Sequence, residues 1–378
     1  MVAVDGFVCD EQTENRKKSG KTAMHTNEEA QTQRGKLVLA GCRSAAGLAA
    51  EIYQCYLQRR ERKDNMADVI FLDSIDTSFS DTESLVRLDE HVGGADVFLI
   101  QSLYNPANSS TVNDNYLPAL VAARAFREHG ARHITALFPY LAYARQDKPT
   151  RFMREPTTAA LMADLSKTAG IDRIITWHPH SRQIQGFYGN TPVTMLDPLP
   201  YFVRPFSDMQ DANDVIVVAP DAGAAKVSFS VSKQLQIACA VTSKHRPGPE
   251  EVENADIIGD FSGKSRAIIY DDIISSGRTI ETVAAKLVRE KGIEKLYLCI
   301  SHCLYSTRAL EVVHRLYEQY GLQRCYVTNS IAPREEFRFL PRFSIYSLSG
   351  VFASVIDRIH RELPVSELFI EGFDERPM

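Results

Sequence analysis

Along most of this chain, short apolar runs alternate with longer stretches in which apolar positions recur every three or four residues. The first pattern predicts strands buried on both faces, and the second predicts helices that cover them. Leu37–Ala40, Val69–Leu72, Val97–Gln101, His133–Pro139 and Arg173–Trp177 are the strands of a first series. Its helices run from Ala45 to Arg60 and over Tyr116–His129 and Thr157–Ala169. A second series has strands Val215–Ala219, Ile237–Thr242, Ala267–Tyr270, Leu296–Ile300, Arg324–Thr328 and Phe343–Ser347. Its helices are Ala224–Leu235, Glu281–Lys291, Arg308–Tyr320 and Val351–Leu363. Alternation of this kind predicts an α/β fold in which mainly parallel sheets are flanked by helices.

Between the two series, over Leu196–Asp214, Pro198, Pro200 and Pro205 interrupt any period. The expected organisation is therefore two α/β domains, residues 35–197 and 198–378, that are pseudo-repeats of one another. Residues 1–34 are polar, mixed in charge and without periodicity, which predicts a disordered tail. They lack the apolar core of a secretory signal, and Asp5, Asp10, Glu11, Glu14, Glu28 and Glu29 argue against a transit peptide.

Composition narrows the picture. At 378 residues, 44% hydrophobic and 24% charged, the chain has the make-up of a water-soluble globular protein with room for two cores. A net charge of −5 argues against a nucleic-acid-binding chain, and no apolar run approaches the roughly 18 residues of a membrane span. The 7 cysteines are odd in number and sit mostly in apolar segments, as free thiols in a reducing cytoplasm would. Cys299, His302 and Cys303 are spaced like metal ligands but lack a second ligand pair, so they read as core.

Ligands of parallel sheets bind beyond the carboxyl ends of strands, and those ends carry the candidate chemistry. Arg266–Ile280 reads RAIIYDDIISSGRTI: an apolar strand, then Asp271 and Asp272, then Ser275, Ser276, Gly277, Arg278 and Thr279 leading into a helix. Such a loop offers backbone N–H groups and a helix dipole to a phosphate, while the acids can accept hydrogen bonds from paired sugar hydroxyls. The plainer reading is an acidic pair capping a helix. After His133–Pro139 come Arg145, Gln146 and Asp147 and a basic loop with Lys148, Arg151 and Arg154, suited to a nucleotide or simply solvated. His178 and His180 follow Arg173–Trp177 and are placed to ligate a divalent metal or to sit as ordinary histidines. Asp221 precedes a small-residue turn, as in a phosphate-and-magnesium corner or a plain strand–helix turn. Lys244 and Arg246 precede Pro247, Gly248 and Pro249, which predict an irregular arm; cations there would neutralise charge in phosphoryl transfer, or form a solvated turn. Phe79, Asp81 and Glu83 read as a turn.

Taken in order, these motifs resemble the ribose-phosphate pyrophosphokinase (phosphoribosyl pyrophosphate synthetase) family. The resemblance runs from Lys36 to Phe369 through FSDTE, DVFLIQS, YARQD, REPTTAAL, HSRQIQGFY, PDAGAAK, KHRP, IIGD, DDIISSGRT and TNSI. It implies two tandem type I phosphoribosyltransferase-like domains and synthesis of phosphoribosyl pyrophosphate and AMP from ATP and ribose 5-phosphate, in support of nucleotide biosynthesis. By motif, Ser275–Thr279 would hold the 5-phosphate, and Asp271 with Asp272 the ribose hydroxyls. Arg145, Gln146 and Asp147 would bind ATP, with Phe79, Asp81 and Glu83 reaching the adenine of a neighbouring subunit in a homo-oligomer (dimer, tetramer or hexamer). His180 and Asp221 would serve Mg2+, and Lys244 and Arg246 would be the catalytic pair.

The chain departs from the common pattern at His178, where many members carry Asp, at Ser275 and Arg278 in the phosphate loop, and at His245 in the arm. A catalytically silent regulatory paralogue is the alternative; retention of Lys244, Arg246, His180, Asp221 and Arg145 argues against it. A transferase that consumes phosphoribosyl pyrophosphate would leave YARQD and the whole first domain unexplained.

Overall fold

The computed structural model describes residues 34–61, 69–108, 110–245 and 254–368, with only the backbone described for Lys244, His245, Asn254 and Ala255. The tail expected over residues 1–34 lies outside the described residues except for Arg34.

The first half runs β1 (Leu37–Gly41), α1 (Ala46–Glu61), β2 (Val69–Leu72), β3 (Asp76–Ser78), β4 (Ser84–Val86), β5 (Asp96–Ile100), α2 (Val112–Glu128), β6 (His133–Phe138), α3 (Thr158–Ala169), β7 (Arg173–Trp177) and β8 (Val193–Leu196). A short helix, α4 (Leu199–Val203), leads into β9 (Val215–Ala219), α5 (Ala225–Leu235), β10 (Ala238–His245), β11 (Asn254–Ile258), β12 (Arg266–Ile274) and α6 (Arg278–Lys291). Then come β13 (Lys295–Cys303), α7 (Thr307–Gln319), β14 (Leu322–Thr328), α8 (Glu335–Arg338), β15 (Phe343–Tyr346) and α9 (Ser349–His360).

The strands form two sheets, in the orders β2-β1-β5-β6-β7-β8 and β11-β10-β9-β12-β13-β14-β15. All pairings in the first sheet are parallel, and in the second only the β10–β11 pair is antiparallel. Each sheet repeats one scheme: its second strand lies outside its first, and later strands add on the other side, except that β11 pairs with the free edge of β10. The order therefore reverses between β1 and β5 in one sheet and between β9 and β12 in the other. At such a reversal the following connections diverge to opposite faces and leave a crevice.

Both faces of each sheet are covered, so the strands are apolar almost throughout: β1, β5 and β9 are buried at every residue. Val38, Val97, Ile134 and Phe138 pack under α2 and α3, while Leu39, Phe98, Leu137 and Trp177 face α1. In the second sheet Val218, Ile269 and Ile300 pack under α6 and α7, and Val217, Ile268 and Tyr270 on the opposite face.

The element at the end of the described chain crosses back. Helix α9, placed by the sequence with the second half, packs Val351, Phe352, Val355 and Ile356 against α1 and the outer face of the first sheet. Its apolar residues are needed there because α1 alone does not cover that face. Asp96, fully buried at the start of β5, accepts from Nε and Nη2 of Arg34 at 2.9 and 3.0 Å and from Nδ1 of His360 in α9 at 2.9 Å.

Three local differences from the sequence reading bear on function. Strand β12 continues past Tyr270 through Asp271 and Asp272 to Ile274, because β13 supplies ladder partners up to Cys303. Helix α6 begins at Arg278 rather than Glu281, since Gly277 turns the chain at φ 77°. Lys244 lies in β10 opposite Ala255 of β11 rather than on an irregular arm, because the edge of β10 is open to an antiparallel partner.

Candidate active site

The crevice predicted by the strand order between β9 and β12 opens into a cleft of about 840 Å³. Four strand ends supply its polar wall. The connection after β6 brings Arg145 and Asp147; the turn after β7 brings His178 and His180; the turn after β9 brings Asp221; and the end of β12 brings Asp271 and Asp272. The cleft thus gathers residues from both sheets that are far apart along the chain.

The contacts within it are specific. Nδ1 of His180 lies 2.5 Å from Oδ2 of Asp272. The backbone N–H of Asp272 donates to Oδ1 of Asp271 at 2.9 Å, and that of Ala224 donates to Oδ1 of Asp221 at 3.1 Å, turning the chain into α5. Burial, then the neighbouring Asp272 and Asp221 carboxylates, push the Asp271 carboxyl well above the ordinary range. Burial is the largest effect on Asp272 and acts to raise it, but the hydrogen bond with His180, the His180 charge and the hydrogen bond with Asp271 together outweigh it and hold the carboxyl below the usual value. The His180–Asp272 bond raises the His180 imidazole against the opposing effect of burial. A His180–Asp272 pair whose hydrogen bond favours the charged form of each thus stands beside a carboxyl, Asp271, that resists ionisation because it is buried and because two like charges crowd it.

Such crowding is relieved by a cation. Among the described residues, no three His, Cys, Asp or Glu side chains form a group able to hold a metal ion by themselves. The donors in the cleft, mainly carboxylate oxygens, fit Mg2+, which is bound by one or two carboxylates and completes its octahedron with water and substrate phosphate oxygens.

The comparisons with known proteins settle the family. A profile of the N-terminal domain of ribose phosphate pyrophosphokinase matches residues 37–170, and one of the phosphoribosyl synthetase-associated domain matches residues 246–370. The ribose-phosphate pyrophosphokinase of Clostridium acetobutylicum is 38% identical over 312 residues, which is 82% of this chain and 93% of that one. The chain belongs to the ribose-phosphate pyrophosphokinase family. Ribose-phosphate pyrophosphokinase 1 of Listeria monocytogenes is 37% identical over 293 residues, 78% of this chain and 88% of that one. The crystal structure of phosphoribosylpyrophosphate synthetase from Mycobacterium smegmatis superposes with a TM-score of 0.72 at 29% identity, covering 86% of this chain and 99% of that one.

Within this family fold, several nominated residues stand away from the cleft wall. Ser275, Ser276, Gly277, Arg278 and Thr279 form the turn that continues from β12 and opens α6. Ser306 Oγ donates to the Ser275 carbonyl at 2.6 Å, and the Gly277 backbone passes Val312 of α7 so closely that an added Cβ would lie 2.9 Å from Cγ1. Glu281 and Arg315 join α6 to α7 by two hydrogen bonds of 2.6 and 3.1 Å. This bracing leaves the N-terminal amides of α6 at a fixed position beside the acidic pair.

Gln146 is turned to a structural contact: its Oε1 accepts from Thr158 Oγ1 at 2.6 Å and its carbonyl from the Ala159 N–H at 3.2 Å, both at the start of α3. Phe79, Asp81 and Glu83 form the tip of the β3–β4 ribbon, away from the cleft. There the Glu83 N–H donates to Asp81 Oδ1 at 3.2 Å and Phe79 is 54% exposed. Lys244 is the last residue but one of β10, and Arg246 lies outside the described residues.

The sequence reading passed over two sets of residues. Lys226, the second residue of α5, and Arg182 and Asp197, paired at 3.4 Å, also line the cleft; the PDAGAAK motif was the available signal for Lys226. Behind the cleft, His302 of β13 is buried among hydrogen-bond partners. Its spacing with Cys299 and Cys303 hid that role, which no sequence pattern signals.

Proposed function

We propose that this protein is an active ribose-phosphate diphosphokinase. It transfers the β,γ-diphosphoryl group of ATP to the 1-hydroxyl of ribose 5-phosphate, giving phosphoribosyl pyrophosphate and AMP. The observation that carries this reading is the convergence in one cleft of Arg145 and Asp147, His180, Asp221 and the Asp271–Asp272 pair from four strand ends.

In this reading the amides of Ser275–Thr279 and the N-terminus of α6 bind the 5-phosphate. Asp271 and Asp272, one step back along β12, receive the ribose hydroxyls, which orients the 1-hydroxyl toward the cleft. Arg145 and Asp147, which line the same cleft, hold the nucleotide. The 1-hydroxyl oxygen bonds to the β-phosphorus, the bond from that phosphorus to the α–β bridging oxygen breaks, AMP leaves with that oxygen, and the hydroxyl proton passes to solvent.

Lys244 and Arg246 stabilise charge on the group in transfer. His180 and Asp221, directly or through water, would hold Mg2+, whose chemistry when bound is to neutralise and align phosphate oxygens. Phe79, Asp81 and Glu83, exposed on a ribbon tip, are available to a neighbouring copy's nucleotide in a homo-oligomer. A cytoplasmic setting, where ATP and sugar phosphates are found, suits the activity. Among the described residues no helix is long and apolar enough to cross a membrane.

The test is AMP release from ATP by the purified protein with and without ribose 5-phosphate and magnesium. Release that requires both is expected. No release under saturating substrates would overturn the reading in favour of a catalytically silent paralogue.

A further inference from the structure

The turn that carries His180 springs from the first sheet, yet it is held by the second. His178 Nδ1 lies 2.5 Å from Ser301 Oγ, and the His178 carbonyl oxygen lies 3.0 Å from His302 Nε2. Two residues later His180 meets Asp272 of β12. Strand β13 adjoins β12 in register, with His302 opposite Ile273, so the histidine that holds the turn stands beside the strand end to which the turn is delivered.

The proton arrangement at His302 follows from its partners. A carbonyl only accepts, so Nε2 carries the proton and donates to His178. Burial disfavours the cationic ring, so Nδ1 is left as an acceptor; the single hydroxyl proton of Ser330, 2.8 Å from Nδ1 and 3.0 Å from the Ser301 carbonyl oxygen, is shared between these two acceptors. Ser330 belongs to the TNSI motif after β14. In the same turn Thr328 Oγ1 donates to the Ser301 carbonyl at 2.6 Å and the Ser330 N–H donates to Thr328 Oγ1 at 3.3 Å. Tyr140 packs edge-on against the His302 ring at 5.0 Å. The ring is thus held in one orientation, with its donor aimed at the turn.

His178 itself has φ 34°. L residues rarely adopt that left-handed backbone, and it persists where surrounding contacts over-determine it. The two bonds from Ser301 and His302 are such contacts.

We propose that His302 is a positioning residue: oriented by Ser330 and acting with Ser301, it pins the His178–His180 turn of the first sheet to the second and so presents His180 to Asp272. His302 does not line the cleft, and its action is through the turn. The kinetic part of this inference rests on the activity proposed above; the structural part does not.

Hydrogen exchange of the full-length protein without substrates tests the structural part. In His302→Phe, exchange of the backbone amides of residues 178–189 is expected to accelerate by at least about tenfold while β9 and β12 are unchanged. In His302→Gln, whose side-chain amide nitrogen falls near the place of Nε2 and can donate to the carbonyl, protection is expected to return. In His302→Asn, whose amide is too short to reach, it is not. The kcat for AMP formation is expected to fall roughly 10–100-fold in the Phe and Asn variants, and to recover in the Gln variant.

If His302→Phe fails to fold, Ser330→Ala, which removes only the orienting hydroxyl, is expected to loosen the same turn. Unchanged exchange at 178–189 in the Phe variant, or in Ser330→Ala where it replaces it, overturns the proposal. So does equal behaviour of Gln and Asn, since a packing role would not distinguish them. A wild-type protein that releases no AMP overturns the proposed activity and leaves the exchange result to decide this inference.

Discussion

Nδ1 of His180 and Oδ2 of Asp272 stand 2.5 Å apart across 92 positions of sequence, and they join the ends of two different sheets. Both residues line the cleft, and in the proposed reaction they serve the metal and the ribose hydroxyls. Removing its imidazole should therefore affect chemistry far more than folding. His180→Ala is expected to lower AMP formation about 10²–10³-fold, the usual cost of losing one preorganised electrostatic partner. With the His180 side chain 42% exposed, the pair is screened and its contribution to stability should be no more than about 1 kcal/mol. Steady-state kinetics beside chemical denaturation would separate the two, and a loss of stability matching the loss of activity would refute the assignment.

Gly277 is the position of the phosphate turn least able to change. Its φ of 77° lies in the left-handed region, and a Cβ would lie 2.9 Å from Val312 Cγ1. Gly277→Ala is expected to cost about 1–3 kcal/mol and to raise the KM for ribose 5-phosphate while leaving that for ATP nearly unchanged. Thermal unfolding and substrate titrations measure both. Equal effects on the two KM values would argue that the turn does not serve the sugar phosphate.

Lys244, the last residue but one of β10, is in register with Ala255, so its backbone is set by the ladder even though it precedes a Pro-Gly-Pro sequence. Lys244→Ala is expected to lower turnover about 10²–10³-fold while ATP binding, followed by calorimetry, survives. Near-normal turnover would remove the role assigned to it.

Asp96 makes stability depend on acid. Burial alone would raise its carboxyl, but hydrogen bonds from His360 and Arg34 outweigh this and hold it below the ordinary value. A carboxyl depressed in the folded state contributes stability that is present above its unfolded pKa, about 3.9. That contribution is lost as the pH falls from there through the lower folded value. Asp96→Asn is expected to be less stable at neutral pH and to show a flatter acid limb in denaturation measured against pH. Asp96→Ala, which removes the buried carboxylate that Arg34 and His360 bind, is expected to cost about 3–5 kcal/mol. An unchanged acid limb in the Asn variant would show that the bonds to Arg34 and His360 do not matter to stability.

Much of the architecture was legible because strands buried on both faces must be apolar throughout. Leu37–Gly41, Asp96–Ile100 and Val215–Ala219 announce themselves by composition, and the alternation with helices implies parallel sheets. The elements that escaped are those whose stability comes from a partner. Val193–Leu196 is a short edge strand held by β7, and Asn254–Ile258 exists as a strand only by pairing with β10. Asp271 and Asp272 look like loop residues but remain in the ladder because β13 runs beside them.

The site divides in the same way. Asp221, Asp271, Asp272, His180 and Arg145 could be named because chemistry in such sheets gathers where strands end. Gln146 could not be told from its neighbours, although its side chain holds the start of α3. Nor could His302, which sits among cysteines in an apolar strand and gains meaning only from the carbonyl of His178.

By itself, then, the sequence determined most of the strands, the main helices that cover them, the fold class and the chemical groups at those strand ends, since all of these are encoded by residues adjacent along the chain. The tertiary structure alone decided that α9 completes the first sheet, that His180 meets Asp272, and that the second sheet holds the turn that brings them together. Those relationships depend on strand order and on hydrogen bonds between distant segments, and their geometry exists only once the two sheets have docked.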